Sequence, residues 1–259
     1  MNAAAPIGIF DSGVGGLSVL RALREQLPHE SFIYYADTAH CPYGGRSRVA
    51  IQARAEAVSQ ELIDAGVKLI VVACNTATIA AIAALRARFD LPFVGMEPGV
   101  KPAAMASRSG HVGVLATASS LAGERFQALV DAYAKNTTVH TRACTGWVEW
   151  VESGRYTEPA CEAALRADVQ PLLDAQCDVL VLGCTHFPFL TPVLGRIVGP
   201  SIQLLDTGPA VARQVGRVLR EADGMNPSTA PGQVQWRCSG DAEGFALQRQ
   251  MLGLGGAET

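Results

Sequence analysis

Short apolar runs punctuate the chain, each closed by small or polar residues and followed by a stretch of helical spacing. Pro6 to Phe10 is the first such run. It breaks at Asp11-Ser12-Gly13 and Gly15-Gly16, after which Leu17, Val19, Leu20 and Leu23 line one face of a predicted helix. Phe32 to Ala36 reads as a second strand, closed by Asp37-Thr38 and the turn-rich Cys41-Pro42-Tyr43-Gly44-Gly45. A long helix is predicted from Ser47 to Ala65, stopped by Gly66 where a C′ glycine is preferred. Leu69 to Ala73, rich in β-branched residues, has the pattern of a strand buried on both faces. Cys74 ends it, and a helix is predicted over Thr76 to Arg88, then a short strand over Pro92 to Met96.

A second round follows. The pattern predicts a helix over Val100 to Ser107, a strand over His111 to Ala116, and a helix capped by Ser119-Ser120 and running to Ala134. A strand near Val139 leads to Cys144-Thr145-Gly146 and a short helix bearing Trp147, Trp150 and Glu152. A helix from Glu158 to Ala175 has Pro159 in its first turn. Val179 to Leu182 is a buried strand ending on Gly183-Cys184-Thr185-His186. The tail holds a strand at Gln203 to Leu205 and a helix opened by Asp206-Thr207-Gly208-Pro209 that reaches Glu221. A Gly/Pro/Ser-rich linker over Asp223 to Gly232, a strand at Val234 to Arg237 and a last helix complete it. Strands alternating with helices define an α/β protein with parallel-rich sheets flanked by helices. Two similar rounds predict two similar α/β domains, residues 1–97 plus 208–259 and residues 98–207, with the tail completing the first.

Composition narrows the partners. A net charge of −3 over 259 residues argues against a nucleic-acid surface. No apolar run approaches the ~18 residues of a membrane span, and Met1 to Ile7 has no basic, apolar leader pattern, so a cytoplasmic protein is expected. The seven cysteines include no Cys-x-x-Cys pair, so neither a metal site nor a structural disulfide framework is expected.

Two of those cysteines stand apart. Leu-Ile-Val-Val-Ala-Cys-Asn-Thr, ending at Thr76, parallels Val-Leu-Val-Leu-Gly-Cys-Thr-His, ending at His186. Each is an apolar strand that ends on a cysteine, at the strand end where open α/β sheets bind ligands. A disulfide, a metal site completed by Asp11 or Asp37, and a pair of acid-base thiols are all compatible with this pattern. In the last case one thiolate removes a proton from one face of a carbon and the other thiol protonates the opposite face, inverting the centre without a cofactor. A free thiol with a pKa of about 8.5 is only ~3% ionised at pH 7, so helix N-termini and nearby donors have to raise that fraction. His186 is placed to orient or protonate Cys184, and Asp11 to serve the Cys74 side.

Five motifs in order now carry a resemblance. They are Ile9-Phe10-Asp11-Ser12-Gly13-Val14-Gly15-Gly16-Leu17, Tyr35-Ala36-Asp37-Thr38, Pro42-Tyr43-Gly44, Ala73-Cys74-Asn75-Thr76 and Gly183-Cys184-Thr185-His186-Phe187-Pro188. Together they resemble glutamate racemase, the cofactor-independent enzyme that supplies D-glutamate for peptidoglycan. The resemblance implies an active site in the cleft between two α/β domains and a homodimer. It implies that Cys74 acts on D-glutamate and Cys184 on L-glutamate, with Asp11, His186 and Glu152 as auxiliary catalytic groups. Substrate binding falls to Asp11, Ser12, Pro42, Tyr43, Gly44, Asn75, Thr76, Thr185 and His186. One departure is that Cys144-Thr145-Gly146 stands where the family has Cys-Pro-Leu. An aspartate or hydantoin racemase, or a binding protein that closes two lobes on a small acid, are the competing readings.

Overall fold

A computed structural model of the protein describes residues 1–255. The chain begins with β1 (Ile7–Asp11), α1 (Leu17–Gln26), β2 (Phe32–Ala36), α2 (Arg48–Asp64), β3 (Leu69–Val72), α3 (Asn75–Arg88) and β4 (Phe93–Gly95). It continues with α4 (Val100–Ala106), β5 (His111–Ala116), α5 (Ala118–Leu121), α6 (Glu124–Tyr133), β6 (Thr138–Ala143), α7 (Trp147–Glu152) and α8 (Pro159–Asp174). Then come β7 (Val179–Leu182), α9 (Thr191–Val198), β8 (Gln203–Asp206), α10 (Gly208–Glu221), β9 (Val234–Cys238) and α11 (Ala242–Met251). Two compact units result, Met1–Met96 with the segment from Gly208 onward, and Glu97–Thr207.

Among the described residues the first unit builds a five-stranded parallel sheet in the order β4-β3-β1-β2-β9. Helices α2 and α3 pack together on one face and α1 with α10 on the other. Every residue of β1, β2 and β3 is therefore buried, and for that reason these strands read as unbroken apolar runs instead of alternating ones. Phe10, Ile70 and Val72 meet Val58, Leu62, Ile82 and Leu85 in one core cluster. Helix α2 is capped by Ser47, whose side chain accepts from the Ala50 N–H, and Gly66 follows its end at φ +79°.

The second unit builds a parallel sheet in the order β6-β5-β7-β8. Val112, Val114, Ala116, Val179 and Val181 form its core with Val100 and Ala103 of α4 and Phe126 of α6. Edge strand β6 is largely exposed, which accounts for its polar sequence. The helix expected from Ser119 to Ala134 is two helices. Thr117, not Ser119 or Ser120, supplies the cap, its Oγ1 accepting from the Ser120 N–H at 3.3 Å. Gly123, the poorest helix former of the segment after proline, adopts extended backbone (φ −78°, ψ 138°), and α6 starts afresh from it.

The two sheets share one topology. Order β2-β1-β3-β4 in the first unit corresponds strand for strand to β6-β5-β7-β8 in the second, with β9 added at the outer edge of β2. The strand order reverses between β1 and β3 in one and between β5 and β7 in the other. Open α/β sheets bind ligands at that reversal, beyond the carboxyl ends of the strands. In the second unit glycine holds the two strands at that reversal close together. A Cβ on Gly183 would lie 2.8 Å from the Leu115 carbonyl oxygen and 3.0 Å from the Ala116 Cβ. Gly183→Ala therefore has to part β7 from β5 just before Cys184. The expected cost is about 1–3 kcal/mol, the range for overpacking a filled core, read as a lowered midpoint in urea melts.

Candidate active site

In the first unit the ladder between β1 and β3 runs one residue past the strand, with the Ala73 N–H donating to the Phe10 carbonyl at 2.8 Å. The chain then turns directly into α3 with Cys74 as its N-cap. The Cys74 Sγ accepts from the Ala77 N–H at 3.4 Å and lies 3.9 Å from the Ser12 Oγ. A sulfur at a helix N-terminus sits in the positive end of the peptide dipoles, which favours its thiolate. Asp11 is fully buried at the end of β1. Its Oδ1 accepts from the Gly13 N–H at 2.7 Å and faces the Ser12 Oγ at 3.5 Å, so the carboxylate organises the glycine-rich turn that leads into α1. Asn75 occupies the first turn of α3 at 3% exposure. Both its Nδ2 and its Oδ1 are buried without a hydrogen-bond partner among the described residues. Buried amides are ordinarily satisfied, so this one is built for a group that the chain does not supply. Thr76 is buried beside it in sequence.

The segment after β2 is organised by Asp37. Its carboxylate accepts from the Arg54 Nε at 3.1 Å and Nη2 at 2.9 Å, the Tyr43 Oη at 2.5 Å and the His40 Nδ1 at 2.9 Å. Burial alone would raise the Asp37 pKa; hydrogen bonds from Arg54, Tyr43, Ser239 and His40 outweigh it and bring the value down to about 2. The same burial and the adjoining carboxylate hold the Tyr43 phenol far above its ordinary range, so it stays a donor. Tyr43 is 1% exposed and shares a core cluster with Cys74. Between them Cys41, Pro42 and Gly44 carry the chain around the turn, with a cis Cys41–Pro42 peptide bond. Because its folded pKa lies below the ordinary 3.8, Asp37 contributes stability that is present above about pH 4 and lost as the pH falls through about 2. Asp37→Asn is expected to be less stable than the parent by about 2 kcal/mol at pH 7, with the gap closing towards pH 2; urea melts at the two pH values measure it.

In the second unit Cys184 follows β7 at the position that Cys74 holds after β3. The Gly183 N–H continues the ladder to the Leu115 carbonyl at 2.7 Å, and the Phe187 N–H donates back to the Cys184 carbonyl at 3.0 Å to form the turn. This turn carries Thr185 and His186, both buried. The Cys184 Sγ lies 3.7 Å from the His186 Nδ1, and the His186 Nε2 lies 2.6 Å from the Glu152 Oε1. An ionised carboxylate only accepts, so Nε2 carries a proton and Nδ1 faces the sulfur. Burial would lower the His186 pKa; hydrogen bonding and charge from Cys184 and Glu152 override it and hold the imidazole well above its ordinary value. Helix α7, which carries Glu152, is seated against the His186 turn by the Trp147 ring, which packs tilted on Phe187 with centroids 4.7 Å apart. The Trp147 Nε1 donates to Asp168 of α8 at 2.8 Å, which fixes that ring as core. The altered Cys144-Thr145-Gly146 stretch is accommodated by Gly146 at φ +83°, immediately before α7.

Two of the other cysteines are packing groups. Burial pushes the Cys144 thiol well up, with the Asp168 carboxylate and Cys184 adding to it, and burial raises Cys177 to about 11. Such thiols are inert packing groups. Sequence reasoning passed over Arg54, because nothing local distinguishes one arginine on a charged helix face. It also passed over Thr117, which follows β5 in the place that Ser12 holds after β1. The signal for Thr117 was the same strand-end position that singled out Cys74.

Two doubly wound sheets of one topology, each followed after its third strand by a buried cysteine among polar groups, define an α/β protein with its candidate site at the strand ends. Sequence and structure comparisons agree. The family model of the Asp/Glu/Hydantoin racemases matches residues 7–215. Glutamate racemase of Herpetosiphon aurantiacus is 53% identical over 247 residues, covering 95% of this chain and 97% of that protein. Glutamate racemase of Thermus thermophilus in complex with beta-chloro-D-alanine superposes with a TM-score of 0.83 at 37% identity, covering 98% of this chain and 94% of that one. The Escherichia coli enzyme in complex with L-glutamate and the activator UDP-MurNAc-Ala gives a TM-score of 0.84 at 33% identity, covering 97% and 96%. The chain belongs to the Asp/Glu/hydantoin racemase family, and it is an isomerase. No helix among the described residues is long and apolar enough to cross a membrane.

Proposed function

We propose that the protein interconverts L- and D-glutamate by two-base proton transfer, with Cys184 serving the L enantiomer and Cys74 the D enantiomer. The observation that carries this reading is the equivalence of the two buried thiols, each one step beyond the third strand of the same sheet topology. From L-glutamate, the Cys184 thiolate takes the α-proton and the Cys74 thiol delivers its own proton to the opposite face. The reverse reaction exchanges the roles, so atoms and charge balance without a cofactor or a metal. An imidazolium at His186, held by Glu152, stabilises the Cys184 thiolate by Coulomb attraction. The Ala77 N–H and the start of α3 do the same for Cys74.

Removing a weakly acidic α-proton demands donors for the charge that develops on the carboxylate. On this reading the unpartnered Asn75 amide, the N–H groups of the turn from Ser12 and the Thr76 and Thr185 side chains bind the substrate carboxylates and ammonium. Asp11 sets the Ser12 turn, and Pro42, Tyr43 and Gly44 line the Cys74 side. Substrate identity rests on the named relatives: the protein of 53% identity is a glutamate racemase, and the E. coli neighbour was captured with L-glutamate. The enzyme would then act in the cytoplasm as a homodimer and supply D-glutamate to peptidoglycan. The test is α-proton exchange in deuterated water with both enantiomers of glutamate and of aspartate. Exchange and loss of optical rotation with glutamate are expected. Turnover of aspartate alone would replace the substrate assignment, and binding of glutamate without exchange would leave a binding protein.

A further inference from the structure

The Asp37 cluster lies outside the acid-base chemistry just described, yet it is the most heavily bonded ionic group in the first unit's strand-end region. The carboxylate is fully buried between three separate parts of the chain. Arg54 reaches it from the second turn of α2 with two donors of its planar fork. Ser239, just beyond β9, bonds the carboxylate and also accepts from the Ala39 N–H at 3.1 Å. Tyr43 reaches it from the turn of the substrate loop. Arg46 ties the same loop to itself, donating from Nε to the His40 carbonyl at 2.8 Å. Five donors from four residues on one buried carboxylate are more than a core needs merely to neutralise it, and they converge from elements far apart in sequence.

We propose that Arg54 and Asp37 are positioning residues for the reaction: through the Arg54–Asp37–Tyr43 relay they fix the Tyr43 ring and the Pro42–Gly44 backbone against Cys74. Three observations support this. Tyr43 shares its packing cluster with Cys74, and the charge of that thiol bears on its phenol. The phenol hydrogen is directed by the 2.5 Å bond to Asp37. Arg54 binds both oxygens of Asp37, so the carboxylate cannot rotate away from the phenol without breaking a bidentate pair. Arg54 is itself a quarter exposed, and both of its hydrogen bonds in this cluster go to the Asp37 carboxylate.

The inference rests on the racemase reading, and the test separates the two. Wild type, Arg54→Met, Arg54→Lys, Tyr43→Phe and the Arg54→Met/Tyr43→Phe double variant are compared by steady-state racemisation and by α-proton washout from each glutamate enantiomer, with thermal melts alongside. Arg54→Met and Tyr43→Phe are each expected to lower kcat about tenfold, with the larger loss in washout from D-glutamate and a smaller change in KM. The double variant is expected to be no worse than the poorer single one, because both cut one relay. Arg54→Lys, which keeps the charge but not the fork, is expected to recover only part of the loss. Additive losses in the double variant, wild-type turnover in Arg54→Met, or full rescue by lysine would overturn the relay. If Arg54→Met does not fold, Tyr43→Phe and Arg54→Lys decide by the same criteria: the relay fails if both turn over like wild type. A wild type that exchanges neither enantiomer would overturn the racemase reading and this inference with it.

Discussion

Cys74→Ala is expected to abolish racemisation in both directions while still washing the α-proton out of L-glutamate, and Cys184→Ala is expected to do the same for D-glutamate alone. Each variant keeps one thiol. That thiol can remove a proton from the enantiomer it faces and return a solvent proton to the same face, which exchanges the hydrogen without inverting the centre. Inversion needs the second thiol, and a positioned acid or base contributes on the order of 10²–10⁴ in rate. Loss of full turnover by about 10³-fold or more, with washout confined to one enantiomer per variant, is the expected pattern in deuterated buffer. Washout from both enantiomers in either variant would show that one base serves both faces. The surroundings give the Cys184 half a second handle. His186 sits 3.7 Å from that sulfur and 2.6 Å from Glu152, whereas the Cys74 sulfur accepts from the Ala77 N–H and faces the Ser12 Oγ.

Lys68→Met is expected to produce the largest loss of stability of any substitution considered, about 3–5 kcal/mol, without touching the strand-end chemistry. The Lys68 and Glu30 side chains are each 1% exposed, with Nζ 2.6 Å from Glu30 Oε2. The same ammonium donates to the Ala3 carbonyl at 2.6 Å and the Gly224 carbonyl at 2.9 Å, while Glu30 Oε1 accepts from the Asn226 N–H at 2.8 Å. One buried pair thus joins the N-terminal segment, the loop before β2, the start of β3 and the linker after α10. Removing the lysine alone strands a buried carboxylate. Lys68→Met combined with Glu30→Gln removes both charges and keeps an acceptor for Asn226, so it is expected to recover a substantial part of the loss. Urea melts of the two variants check this; a single variant within about 0.5 kcal/mol of the parent would mean that water reaches the pair.

The parts of the fold legible in the sequence were those with a local cause. Strands buried on both faces announce themselves as apolar runs, so Phe32–Ala36, His111–Ala116 and Val179–Leu182 emerged at their observed limits. Ser47 and Gly66 marked the ends of α2 because caps act through their own backbone. The break at Gly123 was missed because both flanking segments have helical spacing, which masks a single glycine between them. Asp37 stood in one of the five motifs, but its hydrogen-bonding role was not legible, since its partners Arg54 and Ser239 are distant in sequence.

By itself the sequence determined the α/β class, the two rounds of strands and helices, and the two cysteines that close corresponding apolar runs. These follow from periodicity and from strand-end position, which are properties of contiguous residues. Tertiary structure alone decided the shared strand order of the two sheets and the chain of contacts from Glu152 through His186 to Cys184. It alone revealed the unsatisfied amide of Asn75 and the convergence on Asp37. The physical reason is that hydrogen bonds and burial depend on which segments meet in space. A side chain's partners in this protein lie up to 231 residues away along the chain, as Arg21 and Leu252 do.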